Sequence, residues 1–171
     1  MKPADSEAFS EYVAGRAQGL MRTAYLLTGD LHQAEDLVQT VLAKLFLHWP
    51  RASQTEHLDA YVRRMMVNTH ISMRRRRWWW ERPTEELPEQ PQTGFAGMIE
   101  DRTLLRQALA TLPPRQRAVV VLRHYEGLSE QETADTLGCA VGTVKSLSSR
   151  GLRRLRDYLT EQGIRTAGYL P

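Results

Sequence analysis

The residues best suited to chemistry in this chain are basic side chains near its C-terminal end. From Thr143 to Arg156 there are five lysine and arginine residues and no acidic one. Such side chains on one helix pair with phosphates and hydrogen-bond to base edges in the DNA major groove. The pattern predicts a helix-turn-helix whose second helix reads duplex DNA. The alternative is a structural helical hairpin with a solvated basic face.

Local signals define the two helices of this motif. Ser129 is a natural N-cap, and Glu132 three residues later completes a capping box. Gly138 lies where the backbone must leave the first helix, and Ala134 is small enough for a second helix to cross closely. The shared apolar seam is expected to contain Leu137, Val144, Leu147 and Leu155.

A second basic cluster lies in the middle of the chain. Four consecutive arginines, Arg74, Arg75, Arg76 and Arg77, precede three tryptophans beginning at Trp78. Planar guanidinium groups pair with phosphate and stack on rings, and an exposed indole stacks on an unpaired base with about 1–3 kcal/mol. The combination favours single-stranded or opening DNA over intact duplex. The alternative for one or two of the tryptophans is packing on their own domain.

Charge alternates along the chain, although the formal net charge is only +3. Residues 1–60 hold five basic and eight acidic side chains, and residues 61–82 hold seven and one. Residues 83–104 hold one basic and five acidic side chains, and residues 105–171 hold ten and six. Two basic blocks separated by an acidic connector predict two separate contacts with an anionic partner.

Other classes of site lack residues to support them. The single cysteine, Cys139, excludes an intramolecular disulfide framework, and the five histidines show no metal-ligand spacing. There is no phosphate-cradling glycine loop and no nucleophile–base motif, so we expect no catalytic residues, no metal and no cofactor. No apolar run approaches the roughly 20 residues needed to span a bilayer, and the N-terminus lacks the apolar core of a signal peptide. A cytoplasmic setting without membrane insertion is expected.

The hydrophobic periodicity predicts an all-α protein of two small helical domains joined by a flexible linker. Helices are predicted over 5–28, over 31–49 with Pro50 ending the helix, and over 58–77. Further helices are predicted from residue 99 to the Pro113-Pro114 pair and over 115–125, before the helix-turn-helix. The expected division is residues 1–82, a proline- and glycine-containing linker over 83–98, a helix-turn-helix domain over 99–160 and a frayed tail over 161–171.

Four motifs together resemble the extracytoplasmic-function sigma factors, the small two-domain class of bacterial RNA polymerase initiation factors. They are residues 33–46, residues 61–68 with the arginine run that follows, Leu-Pro-Pro-Arg-Gln-Arg at 112–117, and residues 126–146. They occur in the family's order and spacing and cover about residues 8–159. The helix-turn-helix alone would also resemble response-regulator activators, but the four motifs together are specific.

The resemblance implies a role for each motif. The first domain would bind core RNA polymerase and recognise and melt the minus-ten element, with the loop at 51–57 holding a flipped base. The second domain would read the minus-thirty-five duplex. The implied polymerase contacts are Glu35, Asp36, Leu37, Gln39 and Thr40. The implied minus-ten contacts are Asn68, Arg74, Arg75, Arg76, Arg77 and Trp78. The implied minus-thirty-five contacts are Arg123, Thr143, Lys145, Ser146, Ser149, Arg150 and Arg153.

The chain departs from the family pattern in three places. The run of three tryptophans is not part of the general pattern, and Ser148 with Ser149 leaves the recognition helix less bulky and less basic than in many relatives. The segment beyond Tyr158 is too short for a fused regulatory domain, so a separate anti-sigma factor is the expected regulator. The functional alternative is a stand-alone helix-turn-helix repressor or activator, which would require dimerisation. An enzyme acting on nucleic acid is a third class without residues to support it.

Overall fold

The computed structural model describes residues 3–80 and 99–164, and side chains over 5–75 and 103–164. These residues form helices and connecting turns without a strand, which confirms the predicted all-α class. The predicted linker over 83–98 lies outside the described residues. The elements are α1 (Pro3–Thr28), α2 (Leu31–Ala52), α3 (Leu58–Trp80), α4 (Ile99–Ala110), α5 (Pro114–Val120), a π-helical turn (Val121–Tyr125), α6 (Glu130–Leu137) and α7 (Val141–Glu161).

The first half is a three-helix unit built on the apolar face of α2. Leu37, Val41 and Leu45 recur every four residues and are fully buried against α1 and α3. Asp30 caps the helix by accepting a hydrogen bond of 2.8 Å from the backbone N–H of Gln33. Phe9 of α1 packs edge-on against the ring of Trp49, with ring centroids 5.2 Å apart.

The second helix is longer than predicted, because Pro50 lies inside it and the helix continues to Ala52. Pro50 is exposed, so the one backbone hydrogen bond that its ring removes is lost on the solvent side. The buried side chains of Trp49 and Ala52 hold this last turn against the core, and the N–H of Ser53 donates to the Trp49 carbonyl at 2.9 Å. Tertiary packing therefore overrides the local proline signal, and the connecting loop is shorter than the predicted 50–57.

The second half consists of α4 to α7. Pro114 occupies the first turn of α5, where a missing N–H costs nothing. The predicted continuous helix over 115–125 is interrupted, because α5 passes at Val121 into a π-helical turn that ends at Tyr125. The N–H of Glu126 closes this wider turn on the Val121 carbonyl at 3.0 Å.

The predicted helix-turn-helix is confirmed, together with its cap and its glycine turn. Ser129 and Glu132 form a reciprocal capping box at the start of α6, and Gly138 ends α6 in the left-handed conformation with φ 60°. Leu137 and Val144 lie in one buried cluster, with Leu147 half-buried against it, whereas Leu155 lies in a second cluster with Leu109, so the predicted seam is divided between two clusters. The crossing of α7 with α5 occurs at Gly151, where an added Cβ would lie 2.8 Å from Val120 Cγ2.

The two halves pack on each other through a shared core. Val119 and Leu122 belong to the same buried cluster as Leu27 and Val67 of the first half. Arg117, only 2% exposed, crosses the boundary. Its Nη1 donates to the Leu27 carbonyl at 2.9 Å and its Nε to the Leu109 carbonyl at 2.7 Å.

A polar contact borders this shared core. Glu126 accepts a short hydrogen bond from the Thr23 hydroxyl, and its Oε2 lies 3.7 Å from Arg63 Nη1. α6 and α5 accordingly lie against α3. One face of α3, containing Arg63, Val67 and His70, is therefore covered by the second half.

Candidate nucleic-acid interface

The predicted recognition helix α7 presents its basic residues on the surface. Lys145, Arg150 and Arg153 are exposed, as are Ser146 and Ser149. Thr143 is half-buried in the first turn. The helix therefore places the predicted minus-thirty-five residues of α7 where a duplex could reach them.

Two of these basic side chains have partners within the protein. Lys145 Nζ lies 3.6 Å from Glu130 Oε2, with the lysine side chain 63% and the glutamate side chain 40% exposed. An exposed ion pair of this kind contributes about 0–1 kcal/mol to stability, so little free energy is lost if a phosphate takes the place of the carboxylate. Arg150 donates from Nη2 to the Ser146 hydroxyl at 3.1 Å and from Nε to the Ser146 carbonyl at 3.2 Å. These bonds hold its guanidinium along the helix surface.

An open cleft of about 410 Å³ runs along the same surface. It is bordered by Lys145, Ser149 and Arg153, together with Arg156 and Glu130. Arg123, the predicted assisting residue, is half-buried in the π-helical turn and donates a short hydrogen bond to the Leu128 carbonyl. Its guanidinium thus holds the loop before α6, and its predicted contact with the minus-thirty-five duplex stays a prediction.

A second open groove, of about 300 Å³, lies in the first half between α2 and α3. Asn68, the predicted base-pocket residue, lines it, whereas no residue of the 51–57 loop, which was expected to hold the flipped base, does. The sequence alone does not place the other lining residues in a groove. Most of the lining residues on α3 nevertheless lie three or four positions from Asn68 or from one another, which is the spacing of one helix face. They are Lys44, Tyr61, Arg64, Met65, Thr69 and Ser72.

The groove and the contact between the halves occupy opposite faces of α3. Arg64 and Asn68 are exposed in the groove, whereas Val67 is fully buried and His70 is 3% exposed. Burial, and then the positive charges of Arg74 and Arg117, lower the pKa of His70 to about 4. His70 is therefore neutral at pH 7, and packing of the halves leaves the groove open.

The arginine run continues α3 beyond the groove. Arg74 and Arg75 are exposed in the turn before the last turn of α3. The backbone of Arg76, Arg77 and Trp78 is helical, and their side chains lie outside the described residues. The predicted roles of these three side chains stay predictions.

Comparison with known proteins identifies the two halves. The family model for sigma-70 region 2 matches residues 13–79, and the model for sigma-70 region 4 matches residues 102–155. The RNA polymerase sigma-E factor of Streptomyces coelicolor is 44% identical over 91% of this chain and 88% of that protein. This chain belongs to the extracytoplasmic-function sigma factors.

Other members of the sigma factor family agree with this assignment. The extracytoplasmic-function sigma factor SigL of Mycobacterium tuberculosis is 35% identical, with 85% of each chain covered. The sigma factor RpoE of Bartonella quintana, solved in complex with the anti-sigma factor NepR, superposes with a TM-score of 0.70 at 26% identity. That comparison covers 90% of this chain and 98% of the solved one.

The predicted polymerase-binding residues of this sigma factor divide between the surface and the core of α2. Glu35, Asp36 and Gln39 are exposed, and Thr40 is half-buried. Leu37 is fully buried among the core residues. It therefore holds α2 on the three-helix unit and is not on the surface that a partner would meet.

Neither a metal centre nor a membrane span is found in the part of the sigma factor that the structure describes. Over residues 3–80 and 99–164, no three histidine, cysteine, aspartate or glutamate side chains lie close enough to hold a metal ion. No helix in these ranges is long and apolar enough to cross a membrane.

Proposed function

We propose that this sigma factor binds core RNA polymerase through the exposed face of α2 and directs initiation at promoters that it reads at two places. Glu35, Asp36 and Gln39 supply a polar, acidic surface beside the three-helix core. The groove containing Asn68 and Arg64 takes the minus-ten strand, and the exposed face of α7 takes the minus-thirty-five duplex. The family match does not favour a stand-alone repressor or activator.

The observation that carries the proposal is the presence of two separate, open, basic surfaces on one chain. The open groove on α3 has amide, guanidinium and aromatic side chains, which suit a base taken out of the stack. The α7 surface is a helix with exposed lysine and arginine beside an open cleft, which suits the major groove and phosphates of a duplex. One chain thus offers a site for opened DNA and a site for duplex DNA.

The experiment is run-off transcription from a random promoter library, using core RNA polymerase from the source organism with and without this protein. Protein-dependent transcripts should be enriched for two fixed elements, one upstream duplex element and one that melts. Transcription that does not depend on the protein, combined with tight sequence-specific DNA binding by the protein alone, would reject the proposal in favour of a repressor or activator.

Regulation and location follow from the same proposal. The solved relative RpoE is bound to an anti-sigma factor, which supports a separate anti-sigma factor as the regulator of this chain. Core RNA polymerase acts in the cytoplasm, and a protein that binds it acts there as part of this proposal. The action is binding and positioning of polymerase and promoter, with the chemistry of RNA synthesis left to the polymerase.

A further inference from the structure

Glu130 is an acidic residue on a surface that is otherwise basic. It is the first residue of α6, and among the described residues that border the cleft along α7 it is the only acidic one. Lys145, Arg153 and Arg156 border the same cleft. A carboxylate on a surface that meets duplex DNA is repelled by the phosphates nearby. Glu130 therefore opposes DNA binding unless the duplex offers its carboxylate a hydrogen-bond donor.

The position of the Glu130 carboxylate is tied to that of Lys145. Its Oε2 lies 3.6 Å from Lys145 Nζ. Lys145 is the fifth residue of α7, in the N-terminal part of the recognition helix, where side chains of a helix-turn-helix meet base edges. Arg153 lies farther along the same helix, about 12 Å from Lys145 along its axis. The pair of Glu130 and Lys145 thus lies at the end of the cleft where a base edge is expected.

A cation and a carboxylate side by side match the major-groove edge of a G·C base pair. Guanine presents two adjacent acceptors there, N7 and O6, and the cytosine paired with it presents its N4 amine as a donor. The ammonium of Lys145 only donates, and the carboxylate of Glu130 only accepts. Because both side chains are exposed, their ion pair is weak, and little is lost when each group turns toward a base.

We propose that Glu130 and Lys145 together read one G·C base pair of the minus-thirty-five duplex, with Lys145 donating to the guanine and Glu130 accepting from the N4 amine of the cytosine. The proposal rests on the proposed function and assigns base reading to a residue of α6. A lysine alone is a flexible point charge that binds a phosphate as readily as a base. The neighbouring carboxylate repels phosphate and accepts the amine, so it gives the pair its preference for a base.

The test uses the full-length protein assembled with core RNA polymerase and the promoter duplex selected in the run-off experiment. Repeating that selection with Lys145→Ala locates the base pair, as the position at which a preference for G·C is lost. Two analogues are then placed in this pair. One is 7-deazaguanine, which lacks the N7 acceptor, and the other is pyrimidin-2-one, which lacks the amine of cytosine.

Binding to each duplex is measured at one fixed salt concentration for the wild type, Lys145→Ala and Glu130→Ala. Asp135→Ala is the matched control, because Asp135 is an exposed carboxylate of α6 that does not border the cleft. Comparison between variants on the same duplex removes any effect of the analogue on the duplex itself. The wild type and Asp135→Ala should each bind either analogue about tenfold more weakly than the natural pair.

The two variants of the pair should respond to different analogues. Glu130→Ala should lose the response to the missing amine and keep the response to the missing N7, and Lys145→Ala should do the reverse. On a duplex of unrelated sequence, Glu130→Ala should bind at least as tightly as the wild type, because a charge that repels phosphates is gone. The carboxylate therefore raises the preference for the promoter over other DNA.

Three outcomes overturn different claims. A wild-type response of Glu130→Ala to both analogues would reject the role of Glu130 and leave the proposed function intact. Loss of an A·T preference in the Lys145→Ala selection, or of none, would reject the assignment to a G·C pair. Absence of protein-dependent transcription from the promoter library would reject the proposed function itself, before any variant is compared.

Discussion

The capping box at the start of α6 is a local source of stability in the second half. The Ser129 hydroxyl accepts from the Glu132 N–H at 3.1 Å, and the Glu132 carboxylate accepts from the Ser129 N–H at 2.7 Å. Ser129→Ala removes a cap and should lower the free energy of unfolding by about 1 kcal/mol. Urea denaturation measures this. Gln131→Ala, in the same turn but outside the cap, should lower the free energy of unfolding by only a few tenths of a kcal/mol.

The buried His70 gives the protein a defined pH dependence. Its pKa in the folded state is about 4, below the ordinary 6.5, because burial and the charges of Arg74 and Arg117 disfavour the cation. The unfolded chain therefore takes up a proton on His70 that the folded chain refuses. The free energy of unfolding is therefore unaffected by His70 above pH 6.5, and protonation of His70 in the unfolded chain lowers it as the pH falls toward 4.

This decline should amount to roughly 3 kcal/mol in the free energy of unfolding. His70→Gln, which cannot titrate, should be less stable at pH 7 but lose less stability on acidification. The measurement is urea denaturation of both proteins at several pH values in that window. A parallel decline in wild type and variant would assign the acid sensitivity to other groups, such as His124, whose pKa is also lowered by burial.

The sequence predicts residues well where their role depends on near neighbours. Ser129, Glu132 and Gly138 were assigned correctly because a cap and a left-handed turn involve only residues within a few positions. The groove around Asn68 was assigned only in part. Lys44 reaches it through a contact with Thr69, 25 positions away, and helical spacing on a single element cannot reveal such a contact.

At the scale of elements, the position of α7 depends on a residue without a side chain. An added Cβ at Gly151 would lie 2.8 Å from Val120 Cγ2, which real structures do not tolerate. Gly151→Ala should therefore destabilise the second half by about 1–2 kcal/mol, because overpacking outweighs the better helix propensity of alanine. Thermal denaturation measures the loss.

Two variants make this prediction specific. Gly142→Ala in the same helix meets nothing within 4 Å and should be neutral or stabilising by up to about 1 kcal/mol. Val120→Ala removes the clashing methyl groups, so the double variant with Gly151→Ala should be less destabilised than the sum of the two single variants. If the two destabilisations simply add, the contact between residues 120 and 151 is not the cause of the loss in Gly151→Ala.

Element boundaries were the part of the fold that local signals predicted least well. Pro50 indicated a helix end, but burial of Trp49 and Ala52 carries α2 through it. The stretch after α5 has the periodicity of a continuous helix, but it widens into a π-helical turn whose last N–H belongs to Glu126. Glu126 in turn contacts Thr23 and Arg63 in the other half, so this boundary is set by tertiary contacts.

At the scale of the whole molecule, the packing of the two halves had no signature in the sequence. The hydrogen bond from Arg117 to the Leu27 carbonyl joins residues 90 positions apart. From its sequence neighbours alone, Arg117 would be predicted to be an exposed arginine on a short helix. Gly29 leaves room for it: its φ of 77° suits glycine, and an added Cβ would lie 3.3 Å from Arg117 Nη1. The approach of a distant guanidinium is visible only in three dimensions.

Arg117 should accordingly control how firmly the halves hold together. Burial, with a smaller contribution from Arg74, lowers the pKa of its guanidinium to about 10, so it stays charged at pH 7 and depends on its two carbonyl partners. Arg117→Ala leaves both carbonyls without that donor and opens a cavity, and it should cost about 2–4 kcal/mol. Hydrogen exchange should then accelerate in the last turn of α1 and in α5.

Arg115→Ala, an exposed arginine on the same helix, is the matched control and should change stability by less than about 0.5 kcal/mol. The location of the faster exchange distinguishes two ways in which Arg117→Ala can act. Acceleration confined to α4 and α5 would mean that the bond to Leu109 matters and the bond to Leu27 does not. Acceleration that includes the end of α1 would mean that the guanidinium joins the halves, because Leu27 is its partner in the first half.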